Sequence, residues 1–288
     1  MKKPFEFEHV RSTNFDNFDD YLEIFKKYGV VIFRNFFEYD ELFIKYYNDI
    51  KELAFLIAKK HSLKIDFDKP LNEILTEISK TNREEIGFIY DLGTRPIKLL
   101  SGTNLKSHPA VMKMVELIMG KDSIIGHPYL GETLHIFPPG KENFKHNLPM
   151  HQDYPYIMQS PEQLTAYINL GSIIKNEKNG GIRIWLGSHK EGLTSSIKLP
   201  SGPRITGNAA FFIDNYDSLD ISFDKGDFAI FDSLLQHEWI QNHTDCTRIV
   251  QLVRYSNLSN KTSVDYSWIS CQVNSKDDEF SKAHPDLI

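Results

Sequence analysis

Met150-His-Gln-Asp-Tyr carries the first residues able to do chemistry: a histidine and a carboxylate two positions apart, in a segment with strand character over 148–154. Alternate residues of a strand project from one face, so His151 and Asp153 can share one metal ion. His237, far along the chain in Gln236-His-Glu-Trp-Ile, would complete two histidines and one carboxylate. That donor set, gathered on one side of a metal, leaves positions open and is the pattern associated with non-haem Fe(II) oxygenases.

The close pair alone is a weak signal. With 11 histidines and 39 acids, roughly 1.5 His-x-Asp/Glu pairs arise from composition. The chain has four: His151/Asp153, His189/Glu191, His243/Asp245 and His284/Asp286. His284 stands beside Pro285 in the C-terminal tail, and His189 sits between Gly187-Ser188 and Gly192, which reads as a surface turn. The distal segment singles out the first pair. Two strand-like runs, 236–241 and 247–256, flank a polar turn and read as an antiparallel hairpin centred between Asn242 and His243. That register sets His237 directly against Arg248, on one face, with Cβ atoms ~5 Å apart. An inward arginine beside a metal histidine is costly unless it holds an anion, and a guanidinium fork fits a carboxylate. A bound dicarboxylate is the expectation.

The elements that must hold these residues fall into two halves. From Asn17 to about Gly120 the pattern is helical. Apolar residues recur at three and four residue spacing from Glu38 through Leu42, Tyr46, Ile50 and Leu53 to Ile57. A second helix covers Leu71 to Ser79, and a third follows Pro109 and ends at Gly120. Tyr28-Gly-Val-Val-Ile-Phe-Arg is a short β-like insert before the first of these. From Ser123 the texture changes to short alternating runs: 123–137, 148–154, 163–170, 182–186, 209–213, 227–232, 236–241, 247–256 and 263–271. Turns such as Pro138-Pro-Gly, Asn179-Gly-Gly, Pro200-Ser-Gly-Pro and Lys225-Gly-Asp separate them. Strands in succession indicate a sandwich or barrel rather than a βαβ sheet. One domain over 1–288 is expected, mainly β, with a helical layer at about 17–120 on a β core at about 123–271.

Composition narrows the function. An apolar fraction of 41% and a charged fraction of 25% are ordinary for a globular protein. A net charge of −6 gives no basic excess for nucleic acid. The apolar runs are far short of the ~18 residues that span a bilayer. MKKPFEFEHV is charged where a signal peptide would be apolar, so the expected location is cytoplasmic. Cys246 and Cys271 form no metal-binding or disulfide pattern. No membrane and no nucleic-acid partner is expected, and the oligomeric state is left open.

Taken together, His-x-Asp, the distal histidine and an arginine eleven residues later resemble the phytanoyl-CoA dioxygenase (PhyH-like) family of Fe(II)/2-oxoglutarate oxygenases. Tyr28-Gly-Val-Val-Ile-Phe-Arg-Asn-Phe-Phe resembles that family's opening strand. Asn179-Gly-Gly-Ile-Arg-Ile-Trp-Leu-Gly-Ser-His-Lys resembles its "N-G-P-L-x-x-x-P-G-S-H-K" element, and Gly226-Asp227 through Arg248 its closing strands. The resemblance spans about residues 20 to 257. It implies a double-stranded β-helix (jelly-roll, cupin-like) barrel, Fe(II) on His151, Asp153 and His237, and 2-oxoglutarate with its remote carboxylate on Arg248. It further implies cofactor contacts from Thr165 and His135. Thr165 also fits on its own terms, because Gln163, Thr165, Tyr167 and Asn169 alternate as a polar face opposite Leu164, Ala166, Ile168 and Leu170.

The chain departs from the family where Phe137-Pro138 replaces Lys-Pro, Tyr167 replaces Trp, and Gly171-Ser172 stands at an acidic position. The implied reaction uses O2 and converts 2-oxoglutarate to succinate and CO2, most often hydroxylating a small-molecule metabolite. Desaturation, epoxidation or ring formation would use the same residues, whereas Asp153 disfavours halogenation. Tyr154, Tyr156, Met158 and Trp239, with Arg95 and Lys98 for an anion, are the candidate substrate contacts. The alternatives are a cupin-like isomerase or lyase and a non-enzymatic β-sandwich binding protein.

Overall fold

A computed structural model describes residues 3–15, 18–81, 99–128, 132–139, 148–171, 180–200, 204–268, 282 and 284–287. Arg95, Lys98, Asn179, Ser201-Gly-Pro and the end of the 263–271 run lie outside them.

Strand β1 (Glu6–Phe7) leads to helix α1 (Phe18–Tyr28), strand β2 (Val30–Phe33) and the long helix α2 (Glu41–Lys60). Helices α3 (Leu71–Thr81), α4 (Leu100–Lys106) and α5 (Pro109–Met119) follow. Helix α2 forms where the three-and-four spacing requires, and it buries Phe43, Tyr46, Ile50, Ala54 and Ile57. Asp40 caps it, accepting from Phe43 N at 3.0 Å. His108 caps α5, where Pro109 supplies a helical φ without losing a needed donor. No described helix is long and apolar enough to cross a membrane.

Strands β3 (Ile125–Gly126) and β4 (Glu132–Phe137) open the second half. Strands β5 (Gln163–Asn169), β6 (Gly181–Trp185), β7 (Ser196–Lys198) and β8 (Arg204–Thr206) come next. Strands β9 (Ser218–Ile221), β10 (Phe228–Asp232), β11 (His237–Ile240) and β12 (Arg248–Asn257) complete the set. A seven-stranded sheet runs β1-β2-β10-β5-β12-β3, with β4 also paired to β12; a three-stranded sheet runs β11-β6-β9. The large sheet is covered on both faces. Leu134, Ile136, Leu164, Ile168, Ile230 and Val253 meet the helices in one core, whereas Tyr167, Phe231, Val250 and Leu252 meet Ile182, Ile184 and Ile221 of the small sheet in another.

Arg34, at the end of β2, fixes the opening strand. Its guanidinium bonds Asp227 at 2.6 Å and Glu6 at 3.1 Å, and the Asp227 carboxylate also accepts from Asn35 N. Strand β2 is therefore locked to the turn that starts β10.

Three expected strands differ. Residues 209–213 lie in a helix, Ala209–Asn215. A short apolar run cannot be assigned by periodicity alone, and here only Phe212 is buried while Phe211 and Ile213 are exposed. Lys261–Asp265 is also helical, capped by Asn260 through Thr262 N at 2.9 Å. Within 148–154 only His151 makes a ladder contact, an isolated bridge to His237. The chain then turns into a helical turn, Tyr154–Ile157, whose Pro155 has no ladder N–H to give. The expected 237/248 hairpin is likewise absent. His237 pairs with Ile184 in the small sheet and Arg248 with Phe137 in the large one. Asn242 turns the chain from one sheet to the other, donating to Phe137 O at 3.0 Å and Cys246 O at 2.7 Å.

Candidate metal centre and anion pocket

His151 and His237 meet as a bonded antiparallel pair: His151 N donates to His237 O at 2.9 Å, and His237 N donates to His151 O at 3.1 Å. Opposed residues share a face, which brings the rings to 4.2 Å. Asp153 reaches the same point from the position just before the helical turn, its amide donating to Ser233 O at 2.8 Å. The structure thus brings the three residues together by a route other than the expected one, a bridge and a turn in place of one continuous strand. Their ligand atoms all lie within 4.8 Å of one another. Asp153 Oδ1 is 3.8 Å from Nε2 of each histidine.

The protonation states suit a metal. Nδ1 of His151 lies 2.8 Å from Pro149 O, and Nδ1 of His237 lies 2.9 Å from Leu235 O. A carbonyl only accepts, so each Nδ1 carries the hydrogen and each Nε2 presents its lone pair to the centre. Burial, aided by the neighbouring His237, pushes His151 down to about 3, and burial lowers His237 as well. Burial works to raise the Asp153 carboxyl, but Arg254, the two imidazoles and the Thr165 hydroxyl together hold it well below the usual carboxylate range. Two neutral imidazoles and one carboxylate result.

Thr165 touches this centre through Asp153, its Oγ1 donating to Oδ2 at 2.6 Å. Arg254, which the sequence reading did not single out, sits across from Thr165 in the β5–β12 register and reaches the same carboxylate through Nε and Nη2, each at 3.3 Å. A signal existed, because Arg254 is six residues beyond Arg248 and period two puts both on one face of β12. Gln152 and Gln236, each beside a metal-site histidine, are tied together through Thr194. Gln152 Oε1 accepts from Thr194 Oγ1 at 3.2 Å, and Gln236 Nε2 donates to that hydroxyl at 3.1 Å. No spacing rule announces such a bond.

Arg248 is buried, 3% exposed. Its Nη1 donates to Gly181 O and Ile240 O, each at 3.1 Å, and its Cζ lies 4.0 Å from the centre of the Phe137 ring. Nε and Nη2 are buried with no hydrogen-bond partner among the described residues, and so is the Tyr167 hydroxyl. Burial lowers Arg248, and the nearby Tyr167 opposes it. Burial pushes the Tyr167 hydroxyl up to about 12. The Gly180-Gly181 pair makes room for the guanidinium. Gly180 has φ +72°, and a Cβ there would stand 2.7 Å from Arg248 Nη1 and 2.6 Å from Ile240 O. His135 packs nearby, its ring 5.7 Å from Phe137 and 5.5 Å from Trp239.

Of the candidate substrate contacts, Tyr156 packs edge-on to His151 with ring centres 5.5 Å apart, and its hydroxyl donates to Arg204 O. Tyr154 and Met158 share a small buried cluster beside Asp153. Trp239 lines the Arg248 pocket, 5.3 Å from the guanidinium.

The three buried residues form a centre that could hold a metal ion. Over residues 25–250 the sequence matches the family model for phytanoyl-CoA dioxygenase (PhyH), and the chain belongs to that family. No curated protein matches the sequence. The structure is similar to the epimerase SnoN solved with Fe3+, alpha ketoglutarate and nogalamycin RO, with TM-score 0.56 and 13% identity over 83% of this chain and 82% of that one. It is similar to EctD from S. alaskensis solved with 2-oxoglutarate and 5-hydroxyectoine, with TM-score 0.55 and 16% identity over 84% and 77%. The carbocyclase SnoK gives TM-score 0.51 and 12% identity over 85% and 86%. At these identities the likeness is one of fold, a cupin-like jelly roll with a helical N-terminal layer. Among the described residues its two larger sheets face each other without closing into a continuous barrel, and β7 and β8 pair as a small third sheet.

Proposed function

We propose that the chain is a non-haem Fe(II) and 2-oxoglutarate-dependent oxygenase that hydroxylates a small-molecule metabolite. The observation that carries this reading is Arg248, a buried guanidinium with two nitrogens that find no partner among the described residues. Leaving a buried charged donor unsatisfied is costly, so the pocket suits a carboxylate that completes the pairing. The donor set fits Fe(II): His151 and His237 offer Nε2, and Asp153 offers Oδ1. Arg248, assisted by the Tyr167 hydroxyl, would hold the remote carboxylate of 2-oxoglutarate.

When bound, iron and 2-oxoglutarate supply the oxidising chemistry, with O2 consumed and succinate and CO2 released. The chain's own residues bind and orient. Pro149 and Leu235 carbonyls fix the imidazole tautomers, Thr165 and Arg254 orient the carboxylate, and the Phe137, Trp239 and Tyr167 rings wall off water. Tyr156, stacked edge-on to His151, is placed to meet the substrate. The fold also serves an epimerase and a carbocyclase, SnoN and SnoK, so the outcome on the primary substrate is a finer question than the cofactor.

The test is anaerobic titration of the protein with Fe(II) and then 2-oxoglutarate, followed in the visible, with succinate measured on admitting O2. A weak charge-transfer band and slow uncoupled succinate production are expected. Metal binding with neither would overturn the oxygenase reading in favour of a cupin-like isomerase or lyase.

A further inference from the structure

Asp153 is held on both sides. A carboxylate offers about four lone-pair positions on its two oxygens. Oδ2 accepts from Thr165 Oγ1 at 2.6 Å and from Arg254 Nε at 3.3 Å, while Oδ1 accepts from Arg254 Nη2 at 3.3 Å. Only Oδ1 faces the histidines, at the same 3.8 Å from each Nε2. Of the three groups, two sit in registered strands: Arg254 opposes Thr165 across β5 and β12, and Thr165 in turn opposes Phe231 of β10. All three are buried, Thr165 completely. The clamp therefore belongs to the rigid large sheet, whereas Asp153 belongs to a turn.

We propose that Arg254 is a positioning residue which, with Thr165, fixes Asp153 as a one-oxygen metal ligand and so keeps the neighbouring coordination position open. For Asp153 to bind a metal through both oxygens, Oδ2 would have to leave both a hydroxyl and a guanidinium in a dry interior, where each donor would be stranded. An unclamped aspartate could rotate and take a second position, closing one that cosubstrate or O2 needs. The proposal rests on the metal-centre reading above, and its test separates the two.

Mn(II) is the probe, because water-proton relaxation counts the waters on the bound ion. A facial triad leaves three positions for water. In Arg254→Met the relaxation enhancement per bound Mn(II) should fall by about one third, as one water is displaced. Thr165→Val should lose a smaller share, and Arg254→Lys, which can still hold one oxygen, should recover part of the loss. An Arg254 that merely supports the fold would lower the melting temperature while leaving the enhancement per bound Mn(II) at the parent value. That result in folded Arg254→Met, or in Thr165→Val if the methionine variant does not fold, overturns the proposal. Failure of the parent protein itself to bind Mn(II) would instead sink the metal-centre reading beneath it.

Discussion

The two faces of the large sheet treat their buried polar groups differently. On the helix side the groups are closed among themselves. Tyr46 donates to Gln251 Oε1, Thr76 Oγ1 donates to Asn72 O and accepts from Thr247 N, and Asp40 gathers Ser12, His108 and Phe43 N. On the inner side His151, His237 and Asp153 aim lone pairs at one another, and Arg248 and Tyr167 hold donors that meet no partner among the described residues. A stranded buried donor costs about 1–3 kcal/mol, more when charged. The helix-side groups named above carry no such cost. The inner side does, and a ligand that supplies the missing partners is the physical reason to keep it.

The sharpest way to break this contrast is to remove a ligand. His237→Ala should abolish tight metal binding and 2-oxoglutarate turnover, leaving no charge without a partner. Asp153→Ala should abolish both as well and in addition strand Arg254, for a stability loss of about 3–5 kcal/mol. Co(II) titration and denaturant unfolding of both variants check this. Equal stability of the two would mean that Arg254 is not paired to Asp153 in solution.

Arg248 comes next. Removing one partner of a buried charge pair costs about 3–5 kcal/mol, and each 1.4 kcal/mol is tenfold in affinity, so Arg248→Ala should weaken 2-oxoglutarate binding by about two to three orders of magnitude. Arg248→Lys should recover only part. The comparison sharpens in the free protein. Arg248→Met removes two unsatisfied buried donors and should melt no lower than the parent without 2-oxoglutarate, although it no longer binds that ligand. A methionine variant that melts well below the parent would make Arg248 a structural cation.

What the sequence could show follows the same division. Spacing finds groups that act across one element: the α2 face from Phe43 to Ile57, the alternating inward face of β5, and the His-x-Asp pair. Arg248 was found by an argument whose register fails, because the 242–247 turn changes sheets instead of closing a hairpin. The arginine still points inward because period two along β12 survives the error. Arg254 was missed, although that same period puts it on the face of Arg248. By contrast, the Gln152–Thr194–Gln236 tie and the Thr165–Asp153 bond join residues distant in sequence, and only the assembled fold shows them. The two helices misread as strands, 209–213 and part of 263–271, bury only Phe212 and only Ser263 respectively, so their apolar residues mark no core face that would settle the period.

On the helix side the expected effects are smaller and leave the site alone. Thr76→Val keeps the shape but removes the acceptor for Thr247 N, stranding a buried amide at a cost of about 1–3 kcal/mol in stability. Affinity for 2-oxoglutarate should stay at the parent value, measured by the same titration. A large loss of binding would show that the two faces are coupled through the start of β12.

The smallest effect at neutral pH concerns Asp40, which joins the N-terminus of α2 to that of α5 and to Ser12. Burial alone would raise its carboxyl, but the hydrogen bonds from His108, Ser12 and Phe43 N outweigh that and hold it down to about 2, against a usual value of 3.8. A carboxyl whose folded value is depressed stabilises the fold above its unfolded value and loses that contribution as pH falls through the folded one. Here the window runs from about pH 4 down to about pH 2, and the shift corresponds to about 2 kcal/mol. Asp40→Asn keeps a capping oxygen but cannot titrate. Its unfolding free energy should therefore fall less steeply than the parent's across that window. The two curves should run parallel from pH 5 to pH 7, where the parent carboxylate stays ionised. Denaturant unfolding at half-unit pH steps makes the measurement. Parallel curves down to pH 2 would mean that Asp40 ionises alike in the folded and unfolded chains, and the closed polar knot assigned to the helix side would lose its best-defined member.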